Sequence, residues 1–290
     1  MPNAPTAPTI DTTCNHIDGR WVAPAGAPLL DNVNPADRRH VIGQSPDSPR
    51  GVAQDAVAAA ERAFPGWRRV PAPQRGRLVA EAGRLMAERR HELARALTLE
   101  EGKTLAESLG EVDRAIASLQ FAAGEGVRLV GRTIPSTGPS AFNYTVREPL
   151  GVVALITPWN FPVSIPAWKI APALVAGNTV VLKPSPLTPV TARLVVACFL
   201  DAGVPPGVLN LVYGATEAGL ALSQHPTVKA VSFTGSTRVG KEVYRQAAAH
   251  TARCLMEMGG KNPLVVLEDA DLALAARQVV QGAFGSTGQR

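Results

Sequence analysis

From residue 150 onward the sequence alternates short apolar runs with amphipathic ones, and this alternation constrains the fold more than any other feature. GVVALITPW, NTVVLKP, GVLNLVYG, VKAVSFTG and RCLMEMGG read as strands. PVSIPAWKIAPALVAG, PLTPVTARLVVACFLDAG, TEAGLALSQH and STRVGKEVYRQAAA, which lie between them, read as helices. Continuous β-rich runs suit strands buried on both faces, with the intervening helices as the crossovers that cover them. The expected fold is α/β with a doubly wound parallel sheet. Sheets of this kind bind ligands beyond the carboxyl ends of their strands, so chemistry is sought in the residues just past each run.

The chain before residue 150 is less regular. Residues 1–50 are Pro-rich, apart from a strand-like HIDGRWV, and are expected to wrap the body. Val52, Ala56, Val57, Ala60 and Phe64 then fall at helical spacing, and Pro65 is expected to stop that run. Two longer helical segments follow, over about 73–101 and about 104–129. Residues 131–149 combine Gly/Pro/Ser punctuation around TIPS with the alternating AFNYTVRE, which predicts a two-stranded excursion. The balance of 29 basic against 24 acidic residues is scattered and contains no basic run, which argues against a nucleic-acid surface. No stretch approaches the roughly 18 apolar residues of a membrane span, and the N-terminus lacks a leader pattern. Cys14, Cys198 and Cys254 stand far apart with no CxxC pair or metal-ligand spacing. They read as structural thiols in a soluble protein of the reducing cytoplasm.

Four strand ends carry candidate chemistry. In FTGSTRVG a strand runs through Phe233 and Thr234 into Gly235, and a helix opens near Ser236. Helix-terminal N–H groups then favour a phosphate in the turn, although a plain Ser-capped helix fits equally. KPSPLTP puts Lys183 at a strand end, either as a donor to ribose or phosphate or as an exposed lysine. TPWNFPV sets Asn160 between Trp159 and Phe161, where its amide could donate to a developing oxyanion or simply shape a turn. MEMGGK places Glu257 in an apolar strand. Desolvation there is expected to raise its pKa into the range of a general base, with a salt-bridged structural role as the alternative.

Taken jointly and in order, TPWNFP, KPSPLTP, FTGSTRVG and EMGGKNP resemble the aldehyde dehydrogenase superfamily, from about HIDGRW to the last residue. The resemblance implies a Rossmann-like cofactor domain with a β-hairpin oligomerisation excursion and the start of a second α/β catalytic domain. The corresponding spans are an N-terminal arm and helices (1–130), the hairpin (131–149), the dinucleotide-binding core (150–258) and the beginning of the catalytic domain (259–290). It implies that Asn160 is the oxyanion-hole asparagine and Glu257 the glutamate that activates the hydrolytic water. Lys183 would hold the adenosine ribose, Gly235 and Ser236 would form the pyrophosphate turn, and Gly214 would stand beside the adenine. Ile156, Thr157, Pro158, Trp159, Ser185, Phe233 and Thr234 would line the same NAD or NADP site. In the family a cysteine thiolate attacks the aldehyde and hydride passes to the nicotinamide. Water then releases the acid from the thioester, and the enzymes are homo-oligomers.

That thiol follows a Gly-Gln-x-Cys pattern in the family, and Gly288, Gln289 and Arg290 match its first three positions. The resemblance therefore implies that the chain is an N-terminal portion. The strand NPLVVLED and the helix LALAARQVVQGAFG would pack into the absent part of the catalytic domain, so alone the chain is expected to expose apolar surface and to be inactive as a thioester-forming enzyme. An alternative is a catalytically inactive module that binds a dinucleotide or oligomerises. Members that prefer NAD often carry a glutamate three residues after the lysine; here that residue is Pro186, so repulsion of a 2′-phosphate is absent and NADP becomes plausible. EMGGKNPLVVLEDADL and GAFGSTGQR look most like enzymes acting on α-ketoglutaric semialdehyde (2,5-dioxopentanoate). Succinic semialdehyde, betaine aldehyde and aromatic aldehydes stay open.

Overall fold

The computed structural model describes residues 11–23 and 26–289. Residues 1–10, part of the expected Pro-rich arm, and Arg290, the third position of the Gly-Gln-x-Cys pattern, lie outside the described residues.

The N-terminal segment is more regular than its composition suggests. It contributes β1 (Asp11–Thr12), β2 (Asn15–Ile17), β3 (Arg20–Val22), β4 (Leu29–Val33) and β5 (Val41–Pro46). β1, β5 and β4 form a small three-stranded sheet, while the β2–β3 hairpin joins the main sheet. Asp18 (φ 51°) and Gly19 (φ 80°) connect the hairpin, and two successive positive φ values match the twist that tight hairpins require. These strands are two to six residues long, too short for hydrophobic periodicity to announce them. The expectation of an irregular wrap is corrected accordingly.

Four helices follow: α1 (Arg50–Trp67), α2 (Ala72–Glu88), α3 (Arg90–Glu101) and α4 (Leu105–Glu125). Pro65 sits inside the last turn of α1 instead of stopping it. A proline near a helix end removes one N–H and leaves the remaining turn intact. The helix expected over 73–101 is two helices, broken at Arg89, whose ψ of 15° leaves the helical region. α4 opens on a capping box in which Thr104 Oγ1 accepts from the Glu107 N–H and the Glu107 carboxylate accepts from the Thr104 N–H. β6 (Thr133–Ile134) and β7 (Asn143–Tyr144) form the expected antiparallel excursion.

The remaining elements alternate as anticipated: β8 (Val152–Ile156), α5 (Ser164–Val175), β9 (Thr179–Lys183), α6 (Pro189–Asp201), β10 (Leu209–Leu211), α7 (Thr216–Gln224), β11 (Val228–Gly235), α8 (Thr237–Ala248), β12 (Arg253–Met258) and α9 (Leu272–Gly288). The main sheet runs β12-β11-β8-β9-β10-β2-β3. Its first five strands are parallel, with β2 and β3 antiparallel at one edge. Every residue of β8 and β9 is buried. Alternate side chains go to opposite faces. Leu155, Val180, Leu182 and Leu209 pack among residues of α2 to α6, whereas Val152, Ala154, Ile156 and Val181 pack against α1, α7 and α8. Two layers of helices on a parallel sheet make the doubly wound α/β fold expected from the sequence.

NPLVVLED, expected as a strand, is not one. Residues 262–266 pair with no strand, and Leu264, Val265, Val266 and Leu267 are all exposed. A strand exists only where its backbone finds a ladder partner, and none is present here among the described residues.

Candidate cofactor cleft and catalytic corner

The sheet order places β8 between β9, its next strand in sequence, and β11, which is reached after the chain has crossed to the other side. Such a reversal opens a crevice beyond the strand ends, because the two flanking connections leave in opposite directions. The register levels those ends: Ile156 pairs with Lys183 on one side and Phe233 on the other, and Thr234 pairs with Glu257.

A cleft of about 460 Å³ occupies this crevice, lined by Ile156, Thr157, Pro158, Trp159, Lys183, Ser185, Phe233, Thr234, Gly235 and Ser236. These are the expected cofactor residues except Gly214, which lies behind the wall. The Gly214 carbonyl accepts from Lys183 Nζ at 2.8 Å, as does that of Pro184 at 2.8 Å. Burial pushes the Lys183 ammonium down to about 8, opposed by the charge of Asp47. Ser236 caps α8, its hydroxyl accepting from the Val239 N–H. The N–H groups of Thr237 and Arg238, the first two of the helix, precede any intrahelical acceptor, and Ser236 and Arg238 line the cleft, so an anion is favoured at this helix start.

The cleft fits a dinucleotide by its own features. Thr157 Oγ1 and Thr234 Oγ1 are buried polar atoms in its wall without a hydrogen-bond partner, as expected where a ligand completes the set. Gly235 in its wall is confined, since a Cβ there would stand 2.7 Å from the Phe233 ring.

Gly214 is held from the N-terminal strands, which sequence reasoning left out of the site. Asn15 Oδ1 accepts from the Tyr213 N–H at 2.8 Å, and Asp47 Oδ1 accepts from the Ala215 N–H at 2.9 Å. Gly214 has φ +138°, and a Cβ there would lie 2.9 Å from Ala218 Cβ and 3.2 Å from Ser48 N. Gly214→Ala is expected to cost on the order of 2 kcal/mol through this strain and crowding. The checks are a thermal melt, with the midpoint falling by several degrees, and a cofactor titration weakened at least threefold as the acceptor of Lys183 shifts. An unchanged midpoint would show that the turn relaxes freely.

Next to the cleft, and sharing Pro158, Trp159, Thr234, Gly235 and Ser236 with it, a second hollow of about 400 Å³ brings together Asn160, Glu257 and Gln289. Asn160 is half-buried and its Nδ2 donates to Gln289 Oε1 at 3.3 Å. Glu257 departs from expectation. It is exposed on β12, the edge strand of the sheet, so the burial that was to raise its pKa is absent among the described residues. A larger hollow of about 640 Å³ on the α5 side is lined by Trp168, Lys169, Ser232 and Glu257 among others. Lys169 Nζ donates to Ser232 Oγ at 2.6 Å, and burial lowers its pKa to about 8, opposed by Glu257.

The terminal loop is folded onto the corner by residues that sequence reasoning did not single out. Gly285 to Thr287 leave the helical region, with Ser286 and Thr287 at φ 50° and 57°. Glu107 Oε1 accepts from the Ser286 N–H at 2.7 Å, and Glu101 Oε1 accepts from Thr287 Oγ1 at 2.7 Å. None of the three cysteines lines the cleft or the corner. Cys198 is buried in α6, and its burial pushes the thiol up to about 11. Among the described residues no cluster of three His, Cys, Asp or Glu side chains could hold a metal ion, and no helix is long and apolar enough to cross a membrane.

Comparison with known proteins agrees with this geometry. The model of the aldehyde dehydrogenase family matches residues 21–290. The chain is 47% identical over 281 residues to the alpha-ketoglutaric semialdehyde dehydrogenase of Bacillus subtilis, covering 97% of this chain and 58% of that protein. It superposes on the crystal structure of an NADP-dependent enzyme of E. coli with a TM-score of 0.92 at 37% identity, covering 97% of this chain and 58% of the other. A point mutant of betaine aldehyde dehydrogenase from Staphylococcus aureus, in complex with NAD+, gives a TM-score of 0.90 at 38% identity, covering 93% and 55% respectively. The chain thus spans somewhat over half the length of the proteins it matches.

Proposed function

Because this chain belongs to the aldehyde dehydrogenase family, we propose that the protein it comes from oxidises an aldehyde to a carboxylic acid with NAD or NADP as the acceptor. In the net reaction the aldehyde and water give the acid, while the oxidised cofactor takes up a hydride and one proton is released. The observation that carries this reading is the continuity of the cleft at the β8–β11 crevice with the corner that joins Asn160, Glu257 and Gln289.

Each group has a role set by its chemistry. Lys183 donates to ribose hydroxyls from a dry strand end, where a charge-assisted hydrogen bond is strong. Gly235 lets a pyrophosphate approach, and the first turn of α8 receives it. Ile156, Thr157, Pro158, Trp159, Ser185 and Phe233 wall the ligand, and Thr234 turns it toward the corner. A bound nicotinamide would supply the hydride acceptor. Asn160 Nδ2 donates to the carbonyl oxygen as that atom gains negative charge. Glu257 takes the proton of the water that releases the acid. The attacking thiol is assigned to the position after Arg290 by the Gly-Gln-x-Cys resemblance. No cysteine of this chain is placed to substitute for it, so the 290-residue chain expressed alone is expected to bind cofactor without turnover.

For substrate, the likeness to the B. subtilis enzyme supports α-ketoglutaric semialdehyde. For cofactor, Pro186 lines the cleft three residues after Lys183 and offers no carboxylate to repel a 2′-phosphate, so NADP is accepted alongside NAD. The excursion β6–β7, with Phe142 and Tyr144 exposed, is proposed as an oligomer contact, and the site of action as the cytoplasm. The test is a substrate panel on the complete protein with both cofactors. Semialdehydes bearing a carboxylate should give the highest kcat/KM. A non-acidic aldehyde winning by tenfold would overturn the substrate assignment, and clear cofactor reduction by the 290-residue chain would overturn the assignment of the thiol.

A further inference from the structure

The turn that carries Asn160 is fastened from beneath by a buried ion pair to which the reaction scheme above gives no part. Lys103, 1% exposed, follows Gly102, the left-handed cap of α3. Its Nζ donates to Glu111 Oε2 at 2.7 Å and to the main-chain carbonyl of Asn160 at 2.8 Å, and lies 4.2 Å over the Phe161 ring. Glu111, 3% exposed, stands on α4; its other oxygen accepts from the N–H groups of Val163 at 2.9 Å and Ser164 at 3.1 Å. Between them the two side chains grip both ends of the five-residue turn 160–164.

A buried ion pair is a poor source of stability, since desolvating two charges offsets most of their attraction and an apolar pair of similar size often serves as well. What it supplies here is direction. The ammonium is satisfied only while the Asn160 carbonyl points at it, and Glu111 is satisfied only while the first N–H groups of the α5 region point back. With both peptides held, the Cα–Cβ bond of Asn160 has one orientation. We propose that Lys103 and Glu111 are positioning residues that aim the Asn160 amide at the substrate oxygen. This rests on the reading of Asn160 as oxyanion donor. The same α3–α4 connection holds Ser286 and Thr287 through Glu107 and Glu101, so the donor and the terminal loop share one reference frame.

The test is Lys103→Met/Glu111→Gln in the complete protein. Glutamine keeps an acceptor for Val163 and Ser164, and the charges of Lys103 and Glu111 are removed together. The buried Glu101 carboxylate, 3.8 Å from Lys103 Nζ, keeps its hydrogen bonds from the residue 103 N–H and Thr287 Oγ1, and a thermal melt verifies that folding persists. The expected result is a fall in kcat of tenfold or more with cofactor Kd within twofold of wild type, and a crystal structure in which the Asn160 peptide has turned. In an Asn160→Ala background the same pair of changes should alter kcat by less than twofold, because nothing is left to aim. Unchanged kcat and an unmoved Asn160 peptide, or an equal tenfold loss in the Asn160→Ala background, would overturn the proposal. Wild-type kcat for Asn160→Ala alone would instead defeat the oxyanion reading, while the position of the Asn160 peptide in the variant structure would still decide whether the pair positions it.

Discussion

Asn160→Ala is expected to lower kcat of the complete protein by about 100-fold to 1000-fold, the loss typical of deleting one preorganised oxyanion donor. The side chain stands in the turn that follows the fully buried strand β8, between Trp159 and Phe161, in a half-buried corner. A donor fixed in such a place needs no reorganisation when charge develops, and it acts where water screens it weakly. The loss should fall on kcat, with cofactor Kd within twofold, because Asn160 lines the corner and not the cofactor cleft. Steady-state kinetics with a parallel cofactor titration separate the two quantities. A loss of threefold or less would mean that the carbonyl oxygen is held by other groups.

Lys183→Met should raise cofactor Kd by about 10-fold to 100-fold, the range for losing charge-assisted hydrogen bonds. Here pH offers a second readout. The folded-state pKa is lowered to about 8 by burial, so the ammonium, and with it cofactor affinity, declines as pH rises above about 8. Wild-type Kd should climb across pH 8 to 10, whereas Kd of the methionine variant should stay flat. The stability contribution has the opposite sense. Between about 8 and the ordinary lysine value the unfolded chain binds more protons than the folded one, so this group destabilises the fold at neutral pH and that penalty is relieved as pH rises through the window. A wild-type Kd that is flat over the same range would show that Lys183 does not contact the cofactor as a cation.

The sheet from β8 to β12 was legible because strands covered on both faces leave continuous apolar runs, and the helices between them keep one apolar stripe. The same logic reached the cleft, since strand ends in a doubly wound sheet gather whatever residues follow them. It failed where structure depends on partners. NPLVVLED has strand composition but no ladder to join. Glu257 has apolar neighbours in sequence yet sits on an edge strand, open to solvent. The break at Arg89 leaves no Gly or Pro signal in the apolar spacing of 73–101. The hairpin at Asp18-Gly19 does carry a local signature, an Asp-Gly pair inside the strand-like HIDGRWV.

The supports of the site were hidden for another reason. Lys103 reaches Asn160 across 57 residues of sequence, and Glu111 reaches Val163 across 52. Neither stands in a periodic or spaced motif with its target. Only Thr104 and Glu107, as a capping box, carried a local signal, and nothing in that signal announced that Glu107 would also hold Ser286.

The cleft is tested most directly by a fluorescence titration of NADH and NADPH into the 290-residue chain and its Lys183→Met variant. Trp159 lines the cleft, so a bound reduced nicotinamide should quench its emission by energy transfer. The predicted result is saturable quenching by both cofactors in the wild-type chain and at least tenfold weaker binding in the variant. Saturation with equal affinity in the two proteins, or no saturable binding by a folded wild-type chain, would contradict it.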